Sequence, residues 1–247
     1  MTISITALTA KGARANNQDA LLLGNHVITA GEHPFLMTGC IVQSDPRISV
    51  FAVADGAGGN EAGEVASEAA LRLLAAESFA DINDFREKVD ECFERMQTAV
   101  EEALGSRWGG STISVLAMGE GQYVCANLGD SPVYKANSGR LNLISEIHTE
   151  AEEKLMAGVR KKDITEQERH SLTRCLGSAG YDIPSFSSGV FAQGDVFVLC
   201  SDGFAERFPK NRLLRELHRP SPKLFSPNTY AATDDNCSAI IIFTGKA

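Results

Sequence analysis

The sequence predicts an α+β fold in which antiparallel sheet packs against helices. Apolar segments of strand length come first, two helical segments follow, and further strands, a short helix and a last strand complete the chain. This order lacks the regular strand–helix alternation that is typical of a parallel sheet. The chain has 247 residues, of which 43% are hydrophobic and 22% charged, so it can bury a continuous core. We expect a single domain over residues 1–247.

The first part of the chain is predicted to consist mainly of strands. Residues 3–8 and 20–23 have the length and composition of short strands joined by a polar loop. Residues 26–47 are predicted to form a hairpin or an irregular excursion. Residues 48–54 are almost continuously apolar, which is typical of a strand buried on both faces.

Two helices are predicted after this strand, because apolar residues recur there at helical spacing. The first stripe consists of Val65, Ala66, Ala69, Ala70, Leu73 and Leu74, and the second of Phe85, Val89, Phe93, Met96 and Val100. The later strands are predicted at 111–117, 122–127, 132–135, 141–144, 187–191, 196–201 and 238–243. A polar insertion is predicted at about 146–175, and a short helix at 210–218.

The composition excludes several classes of function. A net charge of −9 and a sequence pI near 5.1 disfavour nucleic acid as a partner, because phosphate-backbone binding needs a cationic surface. No apolar run approaches the roughly 18 residues that span a bilayer, and the amino terminus does not resemble a secretory signal, so we expect no membrane partner. Six cysteines without a CxxC pair predict buried free thiols in a reducing cytoplasm. Trp108 and the twelve phenylalanines are expected in the core.

Acidic residues follow or precede three of the predicted strands. Asp55-Gly56 and Asp202-Gly203 end apolar strands, and Asp235 precedes the last strand. Because the exit of one antiparallel strand and the entry of its neighbour lie on the same rim, these three carboxylates are predicted to converge. Oxygen ligands of this kind suit hard divalent ions such as Mg²⁺ or Mn²⁺. The alternative is a pair of ordinary turns, since Asp-Gly is a common hairpin signal.

Two further segments carry candidate functional residues. Arg14 lies in a polar loop five residues before Asp19, and an arginine suits bidentate contact with a phosphate. The alternative for Arg14 is a solvated surface position. Asp130 lies in a tight turn between two predicted strands, and by itself this pattern indicates only a turn.

Taken together and in this order, the segments resemble the type-2C metal-dependent serine/threonine protein phosphatases, in particular the bacterial members. The family patterns R-x-x-N-[E/Q]-D, V-A-D-G-x-G-G and G-x-x-A-S are matched at residues 14–19, 53–59 and 63–67. The patterns G-[S/T]-T, G-D-S, L-T-R-x-L-G, C-S-D-G and D-D-N are matched at 110–112, 129–131, 172–177, 200–203 and 234–236. The eight short patterns occur in the family order and are distributed from residue 14 to residue 236, nearly the whole length of the chain.

The resemblance implies a four-layer α-β-β-α sandwich, with two central antiparallel sheets flanked by helices and a flap at about 146–175. It implies hydrolysis of phosphoserine and phosphothreonine in proteins by a water that bridges two Mn²⁺ or Mg²⁺ ions. The substrates would be phosphorylated proteins of a serine/threonine kinase pathway, and the protein is expected to be a cytoplasmic monomer.

The resemblance also assigns roles to individual residues. Asp55 would bridge the two ions, and the Gly56 carbonyl would complete the second site. The first ion would be held by Asp202 and Asp235. Asp19 would act through bound water, and Arg14 would bind the substrate phosphate, so that Arg14, Asp19 and Asp55 form the catalytic set. Asp130, together with Asp202, would hold a third, weaker ion.

Two departures from the family pattern motivate an alternative. Asn60 stands where many bacterial relatives have histidine, and Ile147 stands where the family has the aspartate of an Asp-His pair. A phosphoprotein-binding regulatory module with reduced or lost catalysis is therefore a rival to the enzyme. A metal-dependent nuclease is opposed by the acidic charge. The retained acidic residues and Arg14 favour the enzyme.

Overall fold

The fold consists of two antiparallel sheets flanked by helices. A computed structural model describes residues 2–31, 33–42, 47–57, 61–219 and 222–245. The strands in these ranges are β1 (Ile3–Ala10), β2 (Asn17–Leu23), β3 (His26–Gly31), β4 (Phe35–Val42), β5 (Ser49–Ala57), β6 (Gly110–Ser111), β7 (Ile113–Gly119), β8 (Gln122–Leu128), β9 (Val133–Asn137), β10 (Arg140–Leu143), β11 (Ser185–Val190), β12 (Val196–Cys200) and β13 (Cys237–Thr244). The α-helices are α1 (Glu61–Ala76), α2 (Ile82–Leu104), α3 (Glu150–Met156), α4 (Glu166–His170), α5 (Asp202–Arg207) and α6 (Lys210–His218).

Each sheet combines strands that are distant in the chain. The first sheet has the order β10-β9-β12-β13-β1-β4, and the second has the order β11-β8-β7-β5-β2-β3, with the short β6 paired to β5. Every strand pairing given in these sheets is antiparallel. Residues 26–47 were predicted to form a hairpin or an irregular excursion, and in their described part the hairpin is wrong: β3 pairs with β2 and β4 pairs with β1, so the chain crosses between the sheets there.

Three apolar cores join four layers in the order α-β-β-α. The first core lies between the second sheet and the helices α1 and α2. The second core lies between the two sheets, and the third lies between the first sheet and the helices α5 and α6. The predicted four-layer α+β sandwich is confirmed.

β5 shows why its sequence is apolar at successive positions. Phe51 and Val53 face the core between the sheets, whereas Ala52 and Ala54 face the core beneath α1 and α2. Successive side chains of a strand point to opposite faces, so a strand between two cores must be apolar on both. The double-sided burial predicted for this segment is therefore observed.

Other expectations differ in detail. The helix predicted at 210–218 is found as α6, but α5 was not expected, since its six residues are too few to establish a helical periodicity. The core position predicted for Trp108 and the phenylalanines is wrong for two of them: Trp108, in the loop between α2 and β6, is 84% exposed, and Phe186 on β11 is 47% exposed. The five described cysteines are free, as predicted. None of the helices in the described ranges is long and apolar enough to cross a membrane.

A matched pair of phenylalanines tests the core between the sheets. Phe197 is fully buried and packs edge-on against Tyr123 and Phe191, with ring centres 5.3 and 5.9 Å apart, whereas Phe186 on the edge strand β11 is 47% exposed. We expect Phe197→Ala to lower the free energy of unfolding by about 3–5 kcal/mol. Phe186→Ala should change it by less than about 0.5 kcal/mol. Urea denaturation measures both, and equal losses would contradict the assignment of the core.

Candidate active site

The candidate site lies at the rim of the sandwich where strands of both sheets end. β12 and β13 are antiparallel neighbours, with Cys200 paired to Ala239, so the end of β12 and the start of β13 lie side by side. Asp202 is the first residue of α5 directly after β12, and Asp235 precedes β13 by two residues. Both carboxylates therefore stand at the same end of the first sheet.

Asp19 and Asp55 face each other at the corresponding end of the second sheet. They are direct partners in the pairing of β2 with β5. Asp19 is only 1% exposed, and neither of its carboxylate oxygens has a hydrogen-bond partner among the described residues. The Ser201 and Ser238 hydroxyls lie near this carboxylate but do not meet it with normal hydrogen-bond geometry. Because buried polar atoms are nearly always hydrogen-bonded in folded proteins, two carboxylate oxygens in this state indicate a missing partner.

A cleft of about 480 Å³ opens at this rim. It is lined by Arg14, Gln18, Asp55, Gly56, Ala57, Thr112, Asp130, His170, Leu172, Asp202, Glu206, Asp234, Asp235 and Asn236. Asp130 enters the cleft from the connection between β8 and β9, which belong to different sheets. The structure thus brings together six of the residues singled out in the sequence, with the seventh, Asp19, buried beside Asp55.

Thr112 holds Asp55 in place and links it to the turn that carries Asp130. The Thr112 backbone N–H donates to the Asp55 carbonyl at 2.8 Å, and the Asp55 N–H donates to the Thr112 hydroxyl at 3.1 Å. The same hydroxyl lies 2.7 Å from the hydroxyl of Ser131. The G-[S/T]-T and G-D-S patterns are therefore part of one buried network that fixes two of the carboxylates.

Asn236 fastens the loop of Arg14 to the start of β13. Its side-chain oxygen accepts from the Gln18 N–H at 2.9 Å, and its amide group donates to the Lys11 carbonyl at 2.9 Å. These bonds join segments more than 200 residues apart in the chain. The last residue of the D-D-N pattern thus positions the Arg14 loop.

The glycines that follow Asp55 and Asp202 are required by close backbone contacts. A side chain at Gly56 would place a Cβ 2.2 Å from the Gly63 carbonyl oxygen at the start of α1. At Gly203 it would place a Cβ 2.2 Å from the carbonyl oxygen of Asn236. Both Asp-Gly pairs therefore lie where two segments meet rather than at hairpin tips, which answers the alternative raised from the sequence.

The buried carboxylates of Asp19 and Asp55 have raised pKa values. Burial raises the pKa of Asp19 to about 7, and the charges of Asp202 and Asp235 act in the same direction, although the Ser238 and Ser201 hydroxyls nearby partly oppose the shift. Burial also raises the pKa of Asp55, followed by the charge of Asp19. Each of these carboxylates therefore lacks a compensating positive charge at close range.

The donor set fits divalent cations. All of the converging ligand atoms are oxygens, as hard ions such as Mg²⁺ and Mn²⁺ prefer, and the orphaned Asp19 oxygens supply an independent sign of a missing partner. No three described His, Cys, Asp or Glu side chains are arranged to hold one ion by themselves. The Gly56 carbonyl and water would therefore have to complete the coordination.

Arg14 is bound to one of these carboxylates. Its Nη2 lies 2.8 Å from Oδ2 of Asp235, and its Nε donates to the Asp234 carbonyl at 3.0 Å. The side chains of Arg14 and Asp235 are 56% and 41% exposed, so the pair lies at the mouth of the cleft. Arg14 thus supplies the nearest positive charge to the acidic rim.

Comparisons with known proteins identify the family. Residues 38–234 match the family model of protein phosphatase 2C, which is well over half of the chain. The chain belongs to the protein phosphatase 2C family. The resemblance inferred from the eight motifs is confirmed, and so is the prediction that this chain is an enzyme of that class.

Individual relatives agree with this assignment. The serine/threonine phosphatase stp of Listeria welshimeri is 28% identical over 223 residues, which are 83% of this chain and 88% of the relative. The solved serine/threonine phosphatase of S. agalactiae has a TM-score of 0.82, with 22% identity over 98% of this chain and 99% of that one. The catalytic domain of the phosphatase PstP, solved with two manganese ions, has a TM-score of 0.73 with 22% identity over 100% of both chains. At these identities the two solved structures support the fold.

Sequence reasoning missed one histidine of this protein phosphatase 2C site. His170, which belongs to none of the sequence motifs, ends α4 and lines the cleft. Its Nδ1 lies 3.9 Å from Oδ2 of Asp202, and its Nε2 lies 3.7 Å from Glu206. No local pattern identifies His170, because the acidic residues that it faces, Asp202 and Glu206, are more than 30 positions away in the chain. Asn60, together with Gly58 and Gly59, lies outside the described residues.

His148, which follows Ile147 in the chain, contacts the turn that carries Asp130. Its Nδ1 accepts from the Gly129 N–H at 3.0 Å, its own N–H donates to the Gly129 carbonyl at 3.1 Å, and its Nε2 lies 2.9 Å from the Ser185 hydroxyl. Burial lowers the pKa of His148, which keeps Nδ1 an acceptor at neutral pH. His148 therefore clamps the turn through side chain and backbone together.

Removing this clamp should weaken the turn. We expect His148→Ala to lower the free energy of unfolding by about 1–3 kcal/mol, because the buried Gly129 N–H loses its acceptor. His26→Ala, at an exposed position of β3, is the matched control and should change it by less than about 0.5 kcal/mol. Chemical denaturation of the two variants measures the difference. A negligible loss for His148→Ala would show that the clamp contributes little.

Proposed function

We propose that the protein hydrolyses phosphoserine and phosphothreonine in proteins, using two Mn²⁺ or Mg²⁺ ions held at the rim of the sandwich. The observation that carries the proposal is the buried Asp19 carboxylate without a hydrogen-bond partner, paired with Asp55 beside a cleft that Asp202 and Asp235 also line. Family membership and the serine/threonine phosphatases among the relatives support the reaction class. The two manganese ions in the PstP structure support the cofactor.

The ligands would divide as the resemblance implies. Asp55 would be a ligand of both ions, and the Gly56 carbonyl would complete the second site. Asp202 and Asp235 would hold the first ion, and Asp19 would act through bound water. When bound, the ions supply a nucleophilic water at neutral pH and neutralise charge on the phosphoryl group. Asp130 lines the same cleft and, with Asp202, would hold a third, weaker ion.

Arg14 would orient the substrate phosphate. Its Nε and Nη2 are engaged with Asp234 and Asp235, while Nη1 makes no hydrogen bond to a described residue. A guanidinium fixed on one edge presents its other donors in a defined direction, which suits the equatorial oxygens of a phosphoryl group. Arg14 would thus hold the phosphorus in line for attack.

The insertion at 146–175 would act as a flap over the site. It contains the helices α3 and α4, and its residues His170 and Leu172 line the cleft. Three exposed cations at Arg160, Lys161 and Lys162 lie within it. A protein substrate entering the cleft would therefore touch this segment, and the substrates would be those of an opposing serine/threonine kinase.

Metal-dependent turnover tests the proposed reaction. We expect the protein to dephosphorylate a phosphothreonine peptide with added Mn²⁺, and to lose about 100-fold or more of its rate with a chelator or with Asp202→Asn. Asp90→Asn, on the outer helix α2, is the control and should retain full rate. Unchanged activity in chelator would reject the mechanism. Peptide binding without turnover in the presence of Mn²⁺ would favour the alternative of a phosphoprotein-binding module.

Thermal unfolding tests the cation site without reference to turnover. Because a cation that binds only the folded state stabilises it, Mn²⁺ should raise the melting temperature of the wild-type protein. Asp19→Asn removes one of the repelling buried charges, so the metal-free variant should be at least as stable as the metal-free wild type. The same variant should gain less from Mn²⁺. An identical Mn²⁺-induced shift in both proteins would exclude a role for Asp19 in the site.

A further inference from the structure

Cations are concentrated around α6, far above their frequency in the rest of the chain. Residues 207–219 contain five arginines and lysines and a single acidic residue, in a protein whose net charge is −9. We call Arg207, Lys210, Arg212, Arg215 and Arg219 the α6 basic surface. The net charge of the rest of the molecule is therefore even more negative than −9. The α6 basic surface is a positively charged region on an otherwise acidic protein.

Part of the α6 basic surface is held in place by aromatic rings. The guanidinium carbon of Arg212 lies 4.5 Å from the ring centre of Phe208, and its Nη1 donates to the Arg207 carbonyl at 3.1 Å. The ammonium group of Lys210 lies 5.7 Å from the ring centre of Tyr134. Aromatic faces attract cations and restrict their motion, so these charges are ordered before any partner arrives.

The cations of the α6 basic surface are not paired with carboxylates in the described ranges, although Glu216 of the same helix lines the groove beside them. None of its five cations forms an ion pair with an acidic residue in the described part of the chain. Cations elsewhere are commonly paired, for example Arg72 with Glu68 and Lys135 with Asp195. The charges on α6 are thus available to an external anion.

A groove of about 760 Å³ runs along this face of α6. Arg212, Arg215 and Arg219 line it at three- and four-residue spacing, which places them on one side of the helix. Leu214 adds a half-buried apolar side chain, and Gly139 in the turn between β9 and β10 closes the groove without a side chain. Such a groove suits an extended polypeptide that carries carboxylates and occasional apolar residues.

The groove and the candidate active-site cleft lie at opposite ends of β9. Asp130 in the cleft is three residues before β9, and Gly139 is two residues after it, so β9 spans the distance between them. At about 3.3 Å per residue this separation reaches up to roughly 30 Å. An extended chain would need about nine residues to bridge the two sites.

We propose that the α6 basic surface docks an acidic segment of the protein substrate, about nine or more residues from the phosphorylated residue. This rests on the proposed phosphatase function. A short acidic segment is favoured over nucleic acid or an anionic membrane, because both of those would extend beyond the groove and meet the negative charge of the remaining surface. Docking contributes to substrate affinity and leaves the chemical step unchanged.

Two peptides and two double variants test the proposal. Both peptides carry one phosphothreonine and a ten-residue Gly/Ser spacer, followed by six glutamates in one and six glutamines in the other. We expect the wild type to show a KM about 3- to 10-fold lower for the glutamate peptide at equal kcat, and to lose this preference in high salt. Arg215→Glu combined with Arg219→Glu should abolish the preference and leave the glutamine peptide unaffected.

The matched control reverses two charges on the opposite helical layer, Arg72→Glu combined with Arg86→Glu, and should keep the preference. Equal KM values for the two peptides in the wild type would overturn the proposal. So would a preference for the glutamate peptide that persists in the α6 double variant, or one that is lost equally in the control double variant. Fluorescence anisotropy with the labelled glutamate peptide measures docking separately from turnover. Docking abolished by the α6 variant therefore supports the surface even if hydrolysis fails. Tighter binding of an oligonucleotide or of anionic vesicles than of this peptide would also overturn the proposal.

Discussion

The pairing of Asp19 with Asp55 on neighbouring strands is the constraint on which the rest of the site depends. Two carboxylates in direct register repel each other, and burial removes the water that would screen them. The register of β2 against β5 fixes both, so neither can withdraw without disturbing a sheet that is packed on both faces. Buried charges of this kind are tolerated only with a compensating partner, so we expect a cation at this rim.

The surrounding backbone is organised to keep the repelling groups together. Thr112 bonds to Asp55 through both backbone and side chain, and His148 does the same for the turn before Asp130. Gly56 and Gly203 allow the segments behind the carboxylates to approach closely. Three apolar cores supply the stability against which this unfavourable electrostatic arrangement is maintained. The surrounding fold therefore keeps the carboxylates in position, and interactions among the carboxylates themselves do not stabilise the site.

Sequence alone predicted the features that local patterns determine. The strand of residues 48–54, the two long helices and α6 all show their periodicity within a single segment, and the four-layer sandwich followed from the order of the motifs. Features that depend on distant contacts were missed. His170 and His148 face acidic or polar groups from segments far away in the chain, and Trp108 is exposed in the loop between α2 and β6. The acidic motifs could be recognised from the sequence because each places a carboxylate directly beside the end of an apolar strand segment.

The charge distribution separates two tasks along one strand. At the start of β9 the rim gathers carboxylates that require a cation, and near its end α6 presents cations that require an anion. Had these charges been mixed, they would have paired with each other, as Arg14 does with Asp235 at the mouth of the cleft. β9 alone is five residues long, about 16 Å at 3.3 Å per residue, which exceeds the Debye length of about 8 Å at physiological ionic strength. The proposed metal site on the acidic rim and the proposed docking site on the α6 basic surface would therefore interfere little with each other.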